Sequence, residues 1–222
     1  MMRDVTLIDI KEEILSENRE LAQQLRSDLR KRGVFLVNLM SSPGSGKTSL
    51  ILRSLEHLRK VYRAAVIEGD VDSAVDAERV AREGFLAVQI KTGGSCHLSA
   101  AMVEKGLEAL PLASLELVFL ENIGNLICPA GSDTGAHLSV AVLSVPEGDD
   151  KPLKYPLIFR TSDAFVVNKT DVRDYFDFDT DAFRARVRRL NPDAPVFEVS
   201  CKTGEGVGAW CEWLRQRVDR SR

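Results

Sequence analysis

The sequence predicts an α/β fold of three layers, with a mostly parallel sheet of about seven strands held between helices. Three observations predict it. From Gly33 onward, short apolar runs of strand length alternate with stretches of helical periodicity. The runs are apolar on both faces, as strands covered by helices on both sides must be. A Gly-rich loop, Ser41 to Thr48, stands between the first run and the first helical stretch, in the order a phosphate cradle requires. The 222 residues, 44% hydrophobic and 28% charged, suffice for one domain with a complete core and exclude a disordered or low-complexity chain.

Taken in order, Ile8 to Arg32 reads as one amphipathic helix, with Ile10, Ile14, Leu21, Leu25 and Leu29 on one face and charges on the other. It is expected to pack on the unit that follows, which divides the chain into a helix over 1–32 and a domain over 33–222. The strands expected there are VFLVNLM, AAVIEG, LAVQI, LELVFLE, LSVAVLSV, DAFVVN and PVFEV. Helical periodicity fills Lys47 to Arg59, Ala74 to Glu83, His97 to Leu110 and Asp181 to Leu190, and a last helix is expected at Gly206 to Val218. The acid-rich stretch Asp171 to Asp181 reads as a solvated loop leading into a helix N-terminus.

Charge and the scarce residues narrow the function. A net charge of -3, from 30 Lys+Arg against 33 Asp+Glu, supplies no basic field for nucleic acid or an anionic membrane. No run approaches the ~18 apolar residues of a spanning helix, and charges scattered through the first twenty residues exclude a secretory signal core. Four cysteines are too few for a disulfide framework in a chain of this size, so a reduced, cytoplasmic protein is expected.

The loop S-S-P-G-S-G-K-T followed by a helix is the arrangement of a P-loop NTPase. Gly44, Ser45 and Gly46 let successive N–H groups converge on a β-phosphate, and the helix that carries Ser49 adds the partial charge of its N-terminus. Lys47 reaches the β- and γ-phosphates, and the Thr48 hydroxyl coordinates Mg²⁺. The usual pattern begins with Gly; Ser41 stands there, which is allowed if its backbone keeps an ordinary conformation. The base is read farther on. In N-K-T-D, Asp171 accepts from guanine N1–H and N2–H₂, Asn168 offers a bond to O6 or N7, and the Lys169 stem covers the ring. S-C-K, Ser200 to Lys202 with Cys201 between, is expected to close the pocket. Acids at two strand ends complete the set. Asp70 and Glu121 are favoured for Mg²⁺, Gly124 offers its N–H to the γ-phosphate, and Asp76 either serves the site with Lys47 or caps the following helix.

Cys96 and His97 adjoin each other at the predicted start of a helix, a place that favours the thiolate. Cys128 lies four residues after Gly124, on the segment expected to sense the γ-phosphate. Thiolate and imidazole suit Zn²⁺ or Ni²⁺ rather than Mg²⁺. Free cysteines also serve as small buried hydrophobes, so spacing alone leaves both readings open; three ligands would make an open or subunit-shared site. Cys201, Cys211 and His57 read as packing residues, and His137 is left without a role.

The segments MSSPGSGKTSL, EGDVDSAVDAERV, TGGSCHL, FLENIGNLICPA, SVPEGDDKPLKYP and VVNKTDV resemble, in order, those of the HypB family of hydrogenase nickel-incorporation GTPases. The resemblance implies a slow, dimerising GTPase of the SIMIBI class, that of the signal-recognition and nitrogenase-iron proteins. It implies that Cys96, His97 and Cys128 bind nickel or zinc at the dimer interface. Its implied partners are a small zinc-containing nickel carrier of the HypA type and the hydrogenase large subunit. Three other readings compete. A urease-accessory nickel GTPase would carry a Cys-Pro-His motif, a small-metabolite P-loop kinase is opposed by Asn168 to Asp171, and a nucleotide-binding scaffold would hold zinc structurally. Many relatives carry a further cysteine motif or His-rich tract near the N-terminus; neither precedes Cys96 here, so no tight N-terminal metal store is expected.

Overall fold

The apolar runs become β1 (Phe35–Ser41), β2 (Ala64–Asp70), β3 (Leu86–Lys91), β4 (Leu117–Gly124), β5 (Leu138–Ser144), β6 (Ala164–Asn168) and β7 (Val196–Glu198). In this computed structural model, which describes residues 10–221, they form one parallel sheet in the order β3-β2-β4-β1-β5-β6-β7. The helices are α1 (Ile10–Lys31), α2 (Lys47–Leu58), α3 (Val75–Arg82), α4 (Ala100–Glu108), α5 (Lys151–Lys154), α6 (Pro156–Thr161), α7 (Thr180–Leu190) and α8 (Val207–Arg220). This is the α/β P-loop NTPase fold that the alternation predicts.

Alternation along the strands builds cores on both sheet faces. Val37, Leu39, Val66, Phe119, Val140 and Val166 face α2 and α8, where Trp210 and Leu214 are fully buried. Leu36, Ala65, Ile67, Val118 and Leu120 face the other way, against Leu29 of α1 and Val103 and Leu107 of α4. Under α6 and α7, Phe159 stacks on Phe165 and meets Phe183 edge to face, beside Ala141 and Leu143. Helix α1 is anchored by polar groups as well: Arg26 donates to the Asp133 carboxylate at 2.6 Å and to the Ala136 carbonyl at 2.8 Å. Its expected start at Ile8, and the side chains of Ile10 and Ile14, lie outside the described residues.

The elements depart from expectation in three places. Helix α4 starts at Ala100 rather than His97, because the Ser99 hydroxyl caps it by accepting from the Met102 N–H at 3.3 Å. Strand β4 runs to Gly124, so the E-N-I-G acids and amides belong to the sheet. Between β5 and β6 stand α5 and α6, of 4 and 6 residues, too short for helical periodicity to register. Among the described residues no helix is long and apolar enough to cross a membrane.

Strand β1 lies between β4 and β5: the chain runs from β1 to β2 on one side and, after β4, crosses β1 to β5 on the other. The crevice at its carboxyl end is where an open parallel sheet binds ligands.

Candidate nucleotide and metal site

The phosphate loop fills that crevice. Gly46 caps α2 with a φ of 97°, and a Cβ there would lie 2.4 Å from Asn168 Nδ2, so glycine is required twice over. Gly124 is constrained by space alone, since a Cβ would meet Pro43 at 2.9 Å. Ser41 is accommodated: Lys169, with a φ of 62°, is the single non-glycine with positive φ among the described residues. Buried Ser41 donates to the Ser42 carbonyl at 2.6 Å and accepts from Lys47 Nζ at 2.9 Å, so it parks the lysine. Glu147 braces the loop from β5: its Oε2 accepts from Ser45 Oγ at 2.7 Å and from the Ser144 N–H at 2.7 Å.

A cavity of about 420 Å³ opens above the loop, lined by Lys47, Thr48, Glu68, Asp70, Asp76 and Glu121. Thr48 Oγ1 donates to Glu121 Oε1 at 3.0 Å, and Lys47 Nζ lies 3.8 Å from the same oxygen. Strand register sets Glu68 beside Glu121, and both are buried. Glu68 Oε1 and Glu121 Oε2 receive no hydrogen bond from the described donors; the bond open to the pair is between the two carboxyls, with one protonated. Burial first, and the Glu121 charge second, push Glu68 up to about 10, so it is the member that holds the proton. Two buried carboxylate oxygens without donors, beside a threonine hydroxyl, fit a hard divalent cation such as Mg²⁺.

Asp70 lines the same cavity, and its Oδ1 also accepts from the N–H groups of Asp72 at 3.0 Å and Ser73 at 2.7 Å, holding its own turn. The buried carboxylate paired with Glu121 is Glu68, which strand-end position alone did not single out. Asp76 does not cap α3; Ala74 occupies that position, and Asp76 faces the cavity from the first turn.

A second cavity of about 530 Å³ is lined by Arg53, Asn168, Lys169, Asp171, Cys201 and Lys202. Asp171 is oriented by Ser200 Oγ, which donates to its Oδ1 at 2.6 Å. Asn168 also ties loops together: its Nδ2 donates to the Ser45 carbonyl at 3.0 Å, and its Oδ1 accepts from the Cys201 N–H at 3.1 Å. Both ends of this buried amide are used in this way, and the amide keeps a second N–H and a second oxygen lone pair with which to meet a base. Lys169 spans the mouth and donates to the Gly44 carbonyl at 2.7 Å. Arg53, which no motif marks, donates to the Cys201 carbonyl at 2.8 Å and fixes the S-C-K turn. Burial pushes the Cys201 thiol up to about 11, as packing requires.

Beyond Gly124 the chain reaches the thiols. Exposed Cys96 Sγ lies 3.8 Å from His97 Nδ1 and within hydrogen-bonding contact of half-buried Cys128. The low thiol pKa expected for Cys96 is overturned: the helix begins four residues later, and the bond with the Cys128 thiol, followed by burial, raises it. Among the described residues no three His, Cys, Asp or Glu side chains come together to hold a metal ion, so Cys96, His97 and Cys128 do not form a three-ligand set within this chain. Two asparagines position these loops. Buried Asn122 accepts from the Leu98 N–H at 3.2 Å and donates to Asn38 Oδ1 at 3.2 Å. Asn125 accepts from the Ile127 N–H at 2.8 Å and donates to the Cys96 carbonyl at 3.4 Å. Of the remaining residues, Cys211 and His57 stay on α8 and α2, and His137 is a buttress: it stacks on Phe35 at 5.0 Å, and its Nδ1 accepts from the Leu36 N–H at 3.0 Å.

The family model described as CobW/HypB/UreG, nucleotide-binding domain, matches residues 35–198. Hydrogenase maturation factor HypB of Azotobacter vinelandii is 47% identical over 217 residues, covering 97% of this chain and 72% of that protein. The crystal structure of HypB from Helicobacter pylori in complex with nickel matches with a TM-score of 0.87 and 36% identity, covering 92% of this chain and 96% of that one. The signal recognition particle receptor FtsY of Elizabethkingia anophelis, at 14% identity and a TM-score of 0.54, covers 82% of this chain and 66% of its own. That likeness concerns the fold alone.

Proposed function

The chain belongs to the HypB family within the CobW/HypB/UreG group, and from that premise we propose that it is a GTP-hydrolysing metallochaperone that binds nickel and assists its insertion into nickel–iron hydrogenase. One observation carries the reading. Strand β4 runs from Glu121 under the phosphate loop to Gly124, and the next residue, Asn125, holds both the Cys128 turn and the Cys96 carbonyl.

Guanine selectivity rests on Asp171, whose carboxylate presents acceptors to N1–H and N2–H₂, whereas adenine offers no matching pair of donors. Lys47 exchanges its bond to Ser41 for the β- and γ-phosphates. Thr48, Glu121 and Glu68 would hold Mg²⁺, which supplies charge neutralisation of the phosphates when bound. The γ-phosphate meets the Gly124 N–H, and the strain of that contact passes through Asn125 to Cys128. Nickel is cargo on Cys96, His97 and Cys128, and the ligand set is completed by the same residues of a second copy. Ile127, next to Cys128 and 64% exposed, suits burial between two copies. A zinc-containing carrier of the HypA type would supply the metal and the hydrogenase large subunit receive it, in the cytoplasm.

Nickel titration of the protein with GDP and with a non-hydrolysable GTP analogue tests the coupling. The two states are expected to differ in nickel affinity, and Cys128→Ala to lose the difference along with tight binding. Equal affinities in both states would remove the coupling. Single-turnover assays with GTP are expected to yield GDP and phosphate slowly.

A further inference from the structure

We propose that Arg79 is the α-phosphate ligand of the nucleotide site, detecting that a nucleoside is phosphorylated rather than how many phosphates it carries. The inference rests on the two cavities being the halves of one guanine-nucleotide site. Those halves share three lining residues, Gly46, Ser49 and Arg79. Asp171 fixes the base at one end, and Lys47 with Thr48 fixes the β- and γ-phosphates at the other. Ribose and α-phosphate must therefore cross the waist between them. Gly46 and Ser49 bring a backbone amide and a hydroxyl there; Arg79 brings the charge.

Charge balance points the same way. The cations lining the phosphate half are Lys47 and Arg79, against the carboxyl groups of Glu68, Asp70, Asp76 and Glu121. Lys47 is already engaged by Ser41 and Glu121. Arg79 makes no side-chain hydrogen bond or ion pair with the described residues, although acids flank it on α3, whereas Arg26, Arg53, Arg184 and Arg186 each have a carboxylate partner. Ala77 and Val80 anchor its helix by burial, so the guanidinium is free to swing while its root stays fixed. A planar guanidinium takes two phosphate oxygens at once, a geometry lysine does not reproduce.

Displacement of a fluorescent GDP analogue by guanosine, GMP, GDP and a GTP analogue separates the outcomes. Arg79→Ala is expected to weaken GMP, GDP and the GTP analogue by one common factor of about 10 to 100, the range for a hydrogen bond to a charged group, while leaving guanosine unchanged. Arg79→Lys should fall between the two. Unchanged affinities would overturn the proposal, as would a loss confined to the GTP analogue, which would assign Arg79 to the γ-phosphate. A loss that extends to guanosine would make the residue structural. Wild-type protein that binds none of the four would overturn the nucleotide reading itself, and this inference with it.

Discussion

Around Lys47 the side chains are buried and already bonded to one another, whereas around Cys96 two loops turn their ligand atoms outward. Lys47, Thr48, Glu68 and Glu121 are all buried, and the two glycines above them tolerate no Cβ. Cys96 is exposed, Cys128 half so, and the shell that orients them, Asn122 and Asn125, is better formed than the ligand set itself. The difference separates a site that one chain completes from one that, as proposed, one chain only begins. Preorganisation lowers the ordering cost of binding in the first case. In the second, on the reading proposed above, ligands from a partner copy would make occupancy dependent on association, so metal would be taken up and surrendered without unfolding anything.

If the two regions are independent in construction, removing the heart of one should spare the other. Lys47→Ala deletes the charge that meets the phosphates and should weaken a fluorescent GDP analogue about 100-fold, since truncating a buried charged contact costs about 2 to 5 kcal/mol. Nickel bound per chain in nucleotide-free protein should stay the same; a fall measured by metal analysis would break the separation. A smaller effect tests the link between them. Asn122→Ala leaves the Leu98 N–H and Asn38 amide without their buried partner, at a cost of about 1 to 3 kcal/mol by denaturant unfolding. It should weaken nickel more than nucleotide, because Leu98 follows His97 directly. The reverse order would place Asn122 with the phosphate half.

The smallest effect comes from His137, which serves neither region and supplies a baseline. Burial, and then the charge of Arg30 with a lesser share from Arg26, hold its folded pKa at about 4 against an ordinary 6.5. Below pH 6.5 the unfolded chain takes up a proton that the folded chain refuses, so this residue subtracts stability as pH falls from 6.5 toward 4. His137→Asn should flatten the melting temperature over that window while leaving both ligand affinities untouched at neutral pH. An unchanged slope would show that the ring charges freely in the fold.

What could be read from the chain alone was whatever is local. The phosphate loop, N-K-T-D and the Cys96–His97 pair are contiguous, so their spacing states their chemistry. Glu68 is not legible from the chain because strand-end position says nothing of register; its pairing with Glu121 arises across more than fifty residues. Arg53, Asn122 and Asn125 act on loops far from their own segments, and no motif encodes such a contact. The thiol of Cys96 was expected to be acidic from a helix start that Ser99 in fact moves downstream. Seven strands in order were legible because burial on both faces writes itself as unbroken apolar runs.

The placement of β1 has a consequence for how the protein is made. Its hydrogen-bonding neighbours are β4 and β5, so the strand that carries the phosphate loop waits for residues 117–124 and 138–144 before it is flanked. Loops of that length close slowly, and pairings so distant in sequence come late in folding. A chain emerging from the ribosome presents the Gly-rich loop early but has nothing to hold it open, and Asn168, which ties it shut from the far side, arrives later still. Competence to bind nucleotide thus marks a chain whose central strand has been enclosed, and a protein stalled short of β5 should be unable to claim GTP from the surrounding pool.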